Sequence, residues 1–166
     1  KIWSTMLYRQ FTISVSAGDQ VRIDMAQIAA QQLKAVGIDV TVDIPARVDW
    51  ENQMAYLIGW GSPFDADDHT YKVFGTDKGA NYSGYSNDLV DSALIRARRT
   101  DDPAARAEAY DEFQQALSED PAFAFLCYID ASYVAVSGLS GIDGDTVLGH
   151  HGTGIFRNVA EWTIER

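Results

Sequence analysis

The side chains best suited to chemistry are gathered in one short stretch. Asp65, Asp67, Asp68 and His69 follow directly on Gly61, Ser62, Pro63 and Phe64. Three carboxylates and an imidazole could hold a divalent cation, since hard oxygen donors and a ring nitrogen suit such ions. The spacing fits no EF-hand loop, which needs Gly at its sixth position and Glu at its twelfth. The plainer alternative is an acidic loop whose aspartates cap nearby backbone. His150 and His151 stand between Gly149 and Gly152. Adjacent histidines can ligate metal, but neither an HExxH pattern nor a cysteine accompanies them, so a structural or surface role reads better. No GxSxG elbow and no Walker motif occur, and the glycines spell no GxGxxG between a strand and a helix. Cys127 is the sole cysteine, so no intrachain disulfide can form. Its neighbours Phe123, Phe125 and Leu126 predict a buried, inert thiol. Arg96, Arg98 and Arg99 read as the solvated face of a helix ahead of a phosphate site.

A second kind of chemistry is aromatic. Trp60 ends a short apolar run and leads into the Gly-, Ser- and Pro-containing stretch just described. In α/β folds, ligands lie beyond the carboxyl ends of parallel strands. A Trp there offers a flat apolar wall with one N–H donor, although core packing is the competing role. Asn81, Tyr82 and Tyr85 carry amide and hydroxyl groups in another loop and could also serve a pocket.

These residues must be positioned by regular elements. Residues 2–8 and 11–15 are rich in Ile, Trp, Leu, Tyr, Phe and Val, which predicts extended structure. Ser16 to Asp19 supply a turn and an N-cap. Val21, Met25, Ile28, Ala29, Leu33 and Val36 then recur with helical spacing, predicting an amphipathic helix over 19–36 with those residues inward. Lys34 suits its last turn, and Gly37 stands at the C′ position. Residues 38–43 alternate and are β-branched, which predicts a strand. Strand, helix and strand in this order predict a right-handed βαβ unit with parallel strands. Residues 48–54 read as a short helix, 55–60 as a buried strand, and 61–70 and 75–86 as loops. Asn87 or Asp88 caps a helix with Leu89, Val90, Ala93, Leu94 and Ala97 inward. Asp102 followed by Pro103 is a strong helix start, with Arg106, Tyr110, Phe113 and Leu117 continuing the period until Pro121. Residues 122–128 and 132–137 read as two further strands. The stretch 138–166 holds six of the 13 glycines, so it reads as a looser tail, closing on a strand-like 161–164. The whole is α/β.

At 166 residues the chain has the length of one ordinary domain. Its formal net charge of −11 argues against nucleic acid and against anionic lipid as partners, because both need a basic surface. No apolar run reaches the roughly 20 residues of a membrane span. The first ten residues lack the apolar core of a signal peptide, and the abrupt strand-like start reads as a cut from a longer protein.

The order of these elements resembles the C-terminal lobe of solute-binding family 5, the extracytoplasmic binding proteins of peptide and nickel ABC transporters. Residues 22–40, ending Leu33-Lys34-Ala35-Val36-Gly37-Ile38-Asp39-Val40, are similar to the family's helix ending L-K-x-x-G-I-x-V. Gly59-Trp60-Gly61 followed by Asp65-Ala66-Asp67 resembles its G-W and D-P-D loop, with Ala66 in place of Pro. Asn81 to Asn87, then Val90-Asp91, match N-x-x-x-Y-S-N-x-x-V-D. Asp102, Arg106 and Tyr110 match D-x-x-x-R-x-x-x-Y, and Glu119-Asp120-Pro121 matches E-D-x-P shortened by one residue. The resemblance covers residues 1–140. Each motif is weak alone, and their shared order is specific.

The resemblance implies a periplasmic-binding-protein-like lobe, with a mixed, mostly parallel sheet flanked by helices. It implies residues 1–140 as the C-terminal lobe of a two-lobed protein and 141–166 as a Gly-rich tail returning toward the N-terminal lobe. The function implied is capture of a small-molecule or peptide ligand in the cleft between lobes and delivery to an ABC permease, not catalysis, with no cofactor and no metal. The location implied is periplasmic or extracytoplasmic, with room for a membrane anchor upstream. Trp60 would be a stacking wall, and Gly61, Ser62, Pro63 and Asp65 its polar loop. Asn81 and Tyr82 would contribute or shape a neighbouring loop. Asp102 and Arg106 would serve structure, as a cap and an ion partner. In peptide-binding relatives an Asp three residues after the Trp pairs with the ligand's α-amino group; here Pro63 holds that position. Either Asp65 or Asp67 substitutes, or the ligand is no free-amine peptide. The alternative, from a different class, is a metal-dependent enzyme built on Asp65, Asp67, Asp68 and His69.

Overall fold

The computed structural model describes residues 10–60, 65–129, 132–142 and 154–165. They gather into two compact units that divide between Gly59 and Trp60. Among them, no helix is long and apolar enough to cross a membrane.

The first unit is built on strand β1 (Gln10–Ser14), helix α1 (Gln20–Ala35), strand β2 (Asp39–Asp43) and the short strand β3 (Ala55–Tyr56). β1 lies between the other two, and both pairings are parallel, so the predicted βαβ unit is present. The register sets Gln10 opposite Asp39 and Ser14 opposite Asp43, and Ile13 opposite Ala55. Local signals set the limits of α1. The Asp19 carboxylate accepts from the Arg22 amide at 3.1 Å, satisfying one of the orphan donors of the first turn. At the other end Gly37 adopts φ of 84°, a region other residues rarely enter. The Ile38 amide reaches back to the Leu33 carbonyl and the Gly37 amide to that of Lys34, both at 3.0 Å, which is a Schellman closure.

The buried side of α1 is not the predicted one. Ile23 and Ala26 are buried against Val15, with Ile13, Val42 and Leu57 packed around them. Val21, Ile28 and Val36 are exposed. At 3.6 residues per turn the two apolar faces lie roughly 120° apart round the axis. A three-stranded sheet covers one face of a helix, and the Ile23 face takes it. The expected helix at 48–54 is absent as well. Asp49 accepts from the Glu51 amide at 3.2 Å and from the Asn52 amide group at 3.0 Å, and this local turn replaces helical bonding. The strand expected over 55–60 is ordered as a ladder only at Ala55–Tyr56.

The second unit centres on α3 (Asp88–Arg99) and α4 (Pro103–Glu119). Both start where predicted. The Asn87 side chain accepts from the amides of Leu89 and Val90, and that of Asp102 from Ala104 and Ala105, with Pro103 in the first turn. Val90, Ala93, Leu94, Phe113, Ala116 and Leu117 form the core between them, while Leu89 points outward. A further helix, α2 (Ala66–Phe74), covers the second half of the loop expected at 61–70 and runs on to Phe74. Its signals are those of any helix: Asp65 as cap, Asp67 and Asp68 in the first turn, Lys72 in the last. Val73 is buried and anchors it, with Tyr71 and Phe74 packed on the α3–α4 core.

The strands expected at 122–128 and 132–137 are not formed among the described residues. A strand needs a partner for its backbone groups, and no described segment pairs with this one. Cys127 is therefore exposed, not buried. Beyond it, β4 (Leu139–Ser140) and β5 (Thr163–Ile164) pair antiparallel, with a 3₁₀ segment Gly154–Glu161 between them in sequence.

Candidate functional site

Trp60 opens the second unit with 38% of its surface exposed, a high value for so large an apolar ring and enough to offer a face. Its ring leans on the imidazole of His69, with centroids 5.7 Å apart and planes tilted by 49°. His69 lies one turn inside α2 and is mostly buried, its side chain only 12% exposed, so it can serve as a firm backstop. Gly61, Ser62 and Pro63 lie outside the described residues.

Asp65, where the description resumes, has three donors around one carboxylate. Oδ1 accepts from the Asp67 amide at 2.8 Å, which is the cap of α2. The Arg106 guanidinium grips both oxygens, Nη1 to Oδ2 at 2.9 Å and Nη2 to Oδ1 at 2.6 Å. This is a fork-to-fork pair, the geometry in which Arg outperforms Lys. The hydrogen bonds from Arg106, aided by the Asp67 amide, bring the Asp65 carboxyl down to about 2, and the guanidinium is held more firmly protonated in return. Because the folded pKa is the lower one, the pair contributes fully above the ordinary value of 3.8 and is lost as pH falls through about 2.

Next along α2, Asp67 pairs with Arg98 of α3, Oδ1 to Nε at 3.2 Å. The Arg98 guanidinium also lies 3.8 Å above the centre of the Tyr71 ring. Asp68 pairs with Lys72 one turn on, at 3.0 Å. The acidic stretch is thus tied to cations residue by residue. Among the described residues, no group of three or more His, Cys, Asp or Glu side chains is placed to hold a metal ion. His150 and His151 lie outside the described residues. An open depression of about 750 Å³ beside these pairs is lined by Asp65, Arg98, Asp101, Arg106 and Tyr110. Of the arginine triplet, Arg96 pairs with Glu112 across the hairpin, Nη1 to Oε1 at 3.1 Å.

Asn81 works inside its own loop. Its amide group donates to the carbonyls of Gly75 at 2.9 Å and Tyr85 at 2.7 Å, and its oxygen accepts from the Tyr85 amide at 3.0 Å. The Tyr85 hydroxyl donates to the Asp120 carbonyl at 2.8 Å, fastening that loop to the end of α4. Tyr82 is exposed. Asp102 caps α4, as its place before Pro103 predicts. Arg106 is an ion partner, as expected, but spacing alone does not reveal with which residue. Its partner lies 41 positions away, and nothing local announces the pair.

No family model matches the chain. Protein XP55 of Streptomyces lividans is 37% identical over 139 residues, which are 80% of this chain and 26% of that protein. The oligopeptide-binding protein AppA of Bacillus subtilis is 30% identical over 132 residues, 71% of this chain and 23% of its own length. Among solved structures, NikZ from Campylobacter jejuni in complex with Ni(L-His) matches 93% of this chain with a TM-score of 0.78 and 36% identity, over 33% of its own chain. A mixed α/β unit of parallel strands and flanking helices is the class these likenesses share. Over most of its own length the chain is similar to solute-binding family 5 proteins. It spans about a quarter of the length of the curated relatives it matches.

Proposed function

We propose that the chain is one lobe of an extracytoplasmic solute-binding protein that traps a small ligand, a peptide or another small solute, and hands it to an ABC permease. In this reading residues 1–140 are the C-terminal lobe, and 141–166 return toward an N-terminal lobe supplied by the rest of a longer protein. Its role is binding, and the change it works is closure of one lobe on the other around the ligand.

The observation that carries the reading is Trp60. Its ring is backed by His69 yet keeps 38% of its surface open, at the point where the sequence leaves the β3 run. That combination of firm support and free apolar face suits a stacking wall. The backbone of Gly61, Ser62 and Pro63 would line the ligand beside it, with Asp65 fixing the far end of the loop. Asn81 and Tyr82 would shape the adjoining loop. With Asp65 held by Arg106 and Pro63 carrying no charge, a ligand recognised through a free amine would need its carboxylate from elsewhere.

The exposed apolar run after Pro121 supports the same reading from the other side. Phe125, Leu126, Tyr128, Ile129, Tyr133 and Val134 are all more than half exposed, a surface a second lobe would cover. Isothermal titration tests the wall. The longer protein is titrated with nickel(II) plus L-histidine and with a mixed pool of short peptides. Trp60→Ala is expected to weaken whichever probe binds by tenfold or more, ~1.4 kcal/mol. Unchanged affinity would remove Trp60 from the site.

A further inference from the structure

In the second unit a bidentate ion pair joins two residues 41 positions apart and bears on where Trp60 stands. Arg106 sits in the first turn of α4, whose inward face belongs to the hairpin core through Ala109, Phe113, Ala116 and Leu117. Its guanidinium crosses to Asp65, the cap of α2. α2 in turn carries His69, against which the Trp60 ring rests. The chain of contact is continuous: hairpin core, Arg106, Asp65, first turn of α2, His69, Trp60. We propose that Arg106 is a positioning residue for the ligand wall, fixing through Asp65 where α2 begins and so where the Trp60 ring stands. This rests on the reading of Trp60 as that wall.

Three features support the assignment. An exposed ion pair contributes little to stability on its own, so this one is better explained by geometry than by energy. The pair is bidentate, which fixes angle as well as distance, whereas a lysine would supply a point charge free to swivel. The same carboxylate also caps α2, accepting from the Asp67 amide at 2.8 Å, so the guanidinium holds the helix by its starting point. Removing the guanidinium leaves that cap acceptor in place. α2 then persists, tied to the hairpin by Val73 and by the Asp67–Arg98 pair, but its first turn loses its fixed origin. The expected outcome is a displaced or mobile Trp60 on an intact fold.

The test reads Trp60 itself. The chain has four tryptophans, so uniform 5-fluorotryptophan labelling gives a fluorine spectrum in which Trp60→Phe assigns the resonance of interest. Trp50, whose ring meets Tyr56, and Trp162, whose ring meets Phe156, serve as internal controls. Arg106→Gln is expected to move or broaden the Trp60 signal by more than its linewidth and to leave Trp50 and Trp162 unchanged. Asp65→Asn, which keeps an acceptor for the cap, is expected to do the same. Arg106→Lys should fall between wild type and Arg106→Gln, and the double variant should move the signal no further than the larger single change. A merely stabilising pair would lower the thermal midpoint with all tryptophan signals shifting alike or not at all. That pattern, or a Trp60 signal unmoved in Arg106→Gln and Asp65→Asn, overturns the proposal. The ligand titration of Trp60→Ala is a separate arm. If it shows no loss while the fluorine shifts appear, the clamp stands and the reading of the wall has failed.

Discussion

The α3–α4 hairpin and the segment after Pro121 are both rich in large apolar side chains, and they meet opposite fates. In the hairpin Leu94 is fully covered and Phe113 only 5% exposed; in the segment Tyr128 and Val134 are exposed completely. The difference follows from where each element finds its partners. A helix closes its backbone bonds within itself, and two helices joined by a short turn cover one another. An extended segment closes nothing alone: it needs a neighbouring strand for its amides and a second layer for its side chains. The hairpin is therefore complete within the described residues. The segment has the composition of a buried strand, but only its start meets the core, with Ala122 packed on it and Phe123 and Phe125 against Phe74, while residues 126–129 and 132–138 are exposed.

The sharpest way to break this comparison is a cavity in the hairpin. Leu94→Ala should destabilise the chain by about 2–5 kcal/mol in chemical denaturation, the range for a fully buried leucine. A loss below about 1 kcal/mol would mean the hairpin is not the core of its unit. A smaller effect is expected at the local signal that starts α4. Asp102→Ala should cost about 1 kcal/mol, read from the same denaturation curves, because the Ala104 and Ala105 amides lose their acceptor. The smallest effect belongs to the other region. Val134→Ser should change stability by less than about 0.5 kcal/mol in the chain by itself, as for an uncovered surface site. A larger loss would show that Val134 is covered and that the contrast is false.

The same contrast governs what the sequence makes legible. Caps and turns are local chemistry, so α1, α3 and α4 can be read from Asp19, Gly37, Asn87, Asp102 and Pro103. α2 carries equally local signals, but they sit behind Gly61 to Pro63, whose turn character masks them. The face of α1 that is buried depends on how much sheet is present to cover it, which no helical period contains. Residues 122–137 alternate and branch as strands do, yet the partner strands they need are not in the described part of the chain. The site divides along the same line. Trp60 stands out by type and place, while the grip of Arg106 on Asp65 joins residues 41 positions apart and emerges only once three helices are packed.

The central claim is that this lobe carries a ligand face and needs a second lobe to trap anything. Titrating nickel(II) plus L-histidine and the peptide pool against the 166-residue chain alone and against the longer protein tests it most directly. The longer protein should bind one of these probes at least roughly a hundredfold more tightly than the chain alone, ~2.8 kcal/mol in favour of the two-lobed form. Equal affinity in the chain alone would contradict the account, because a single lobe would then suffice.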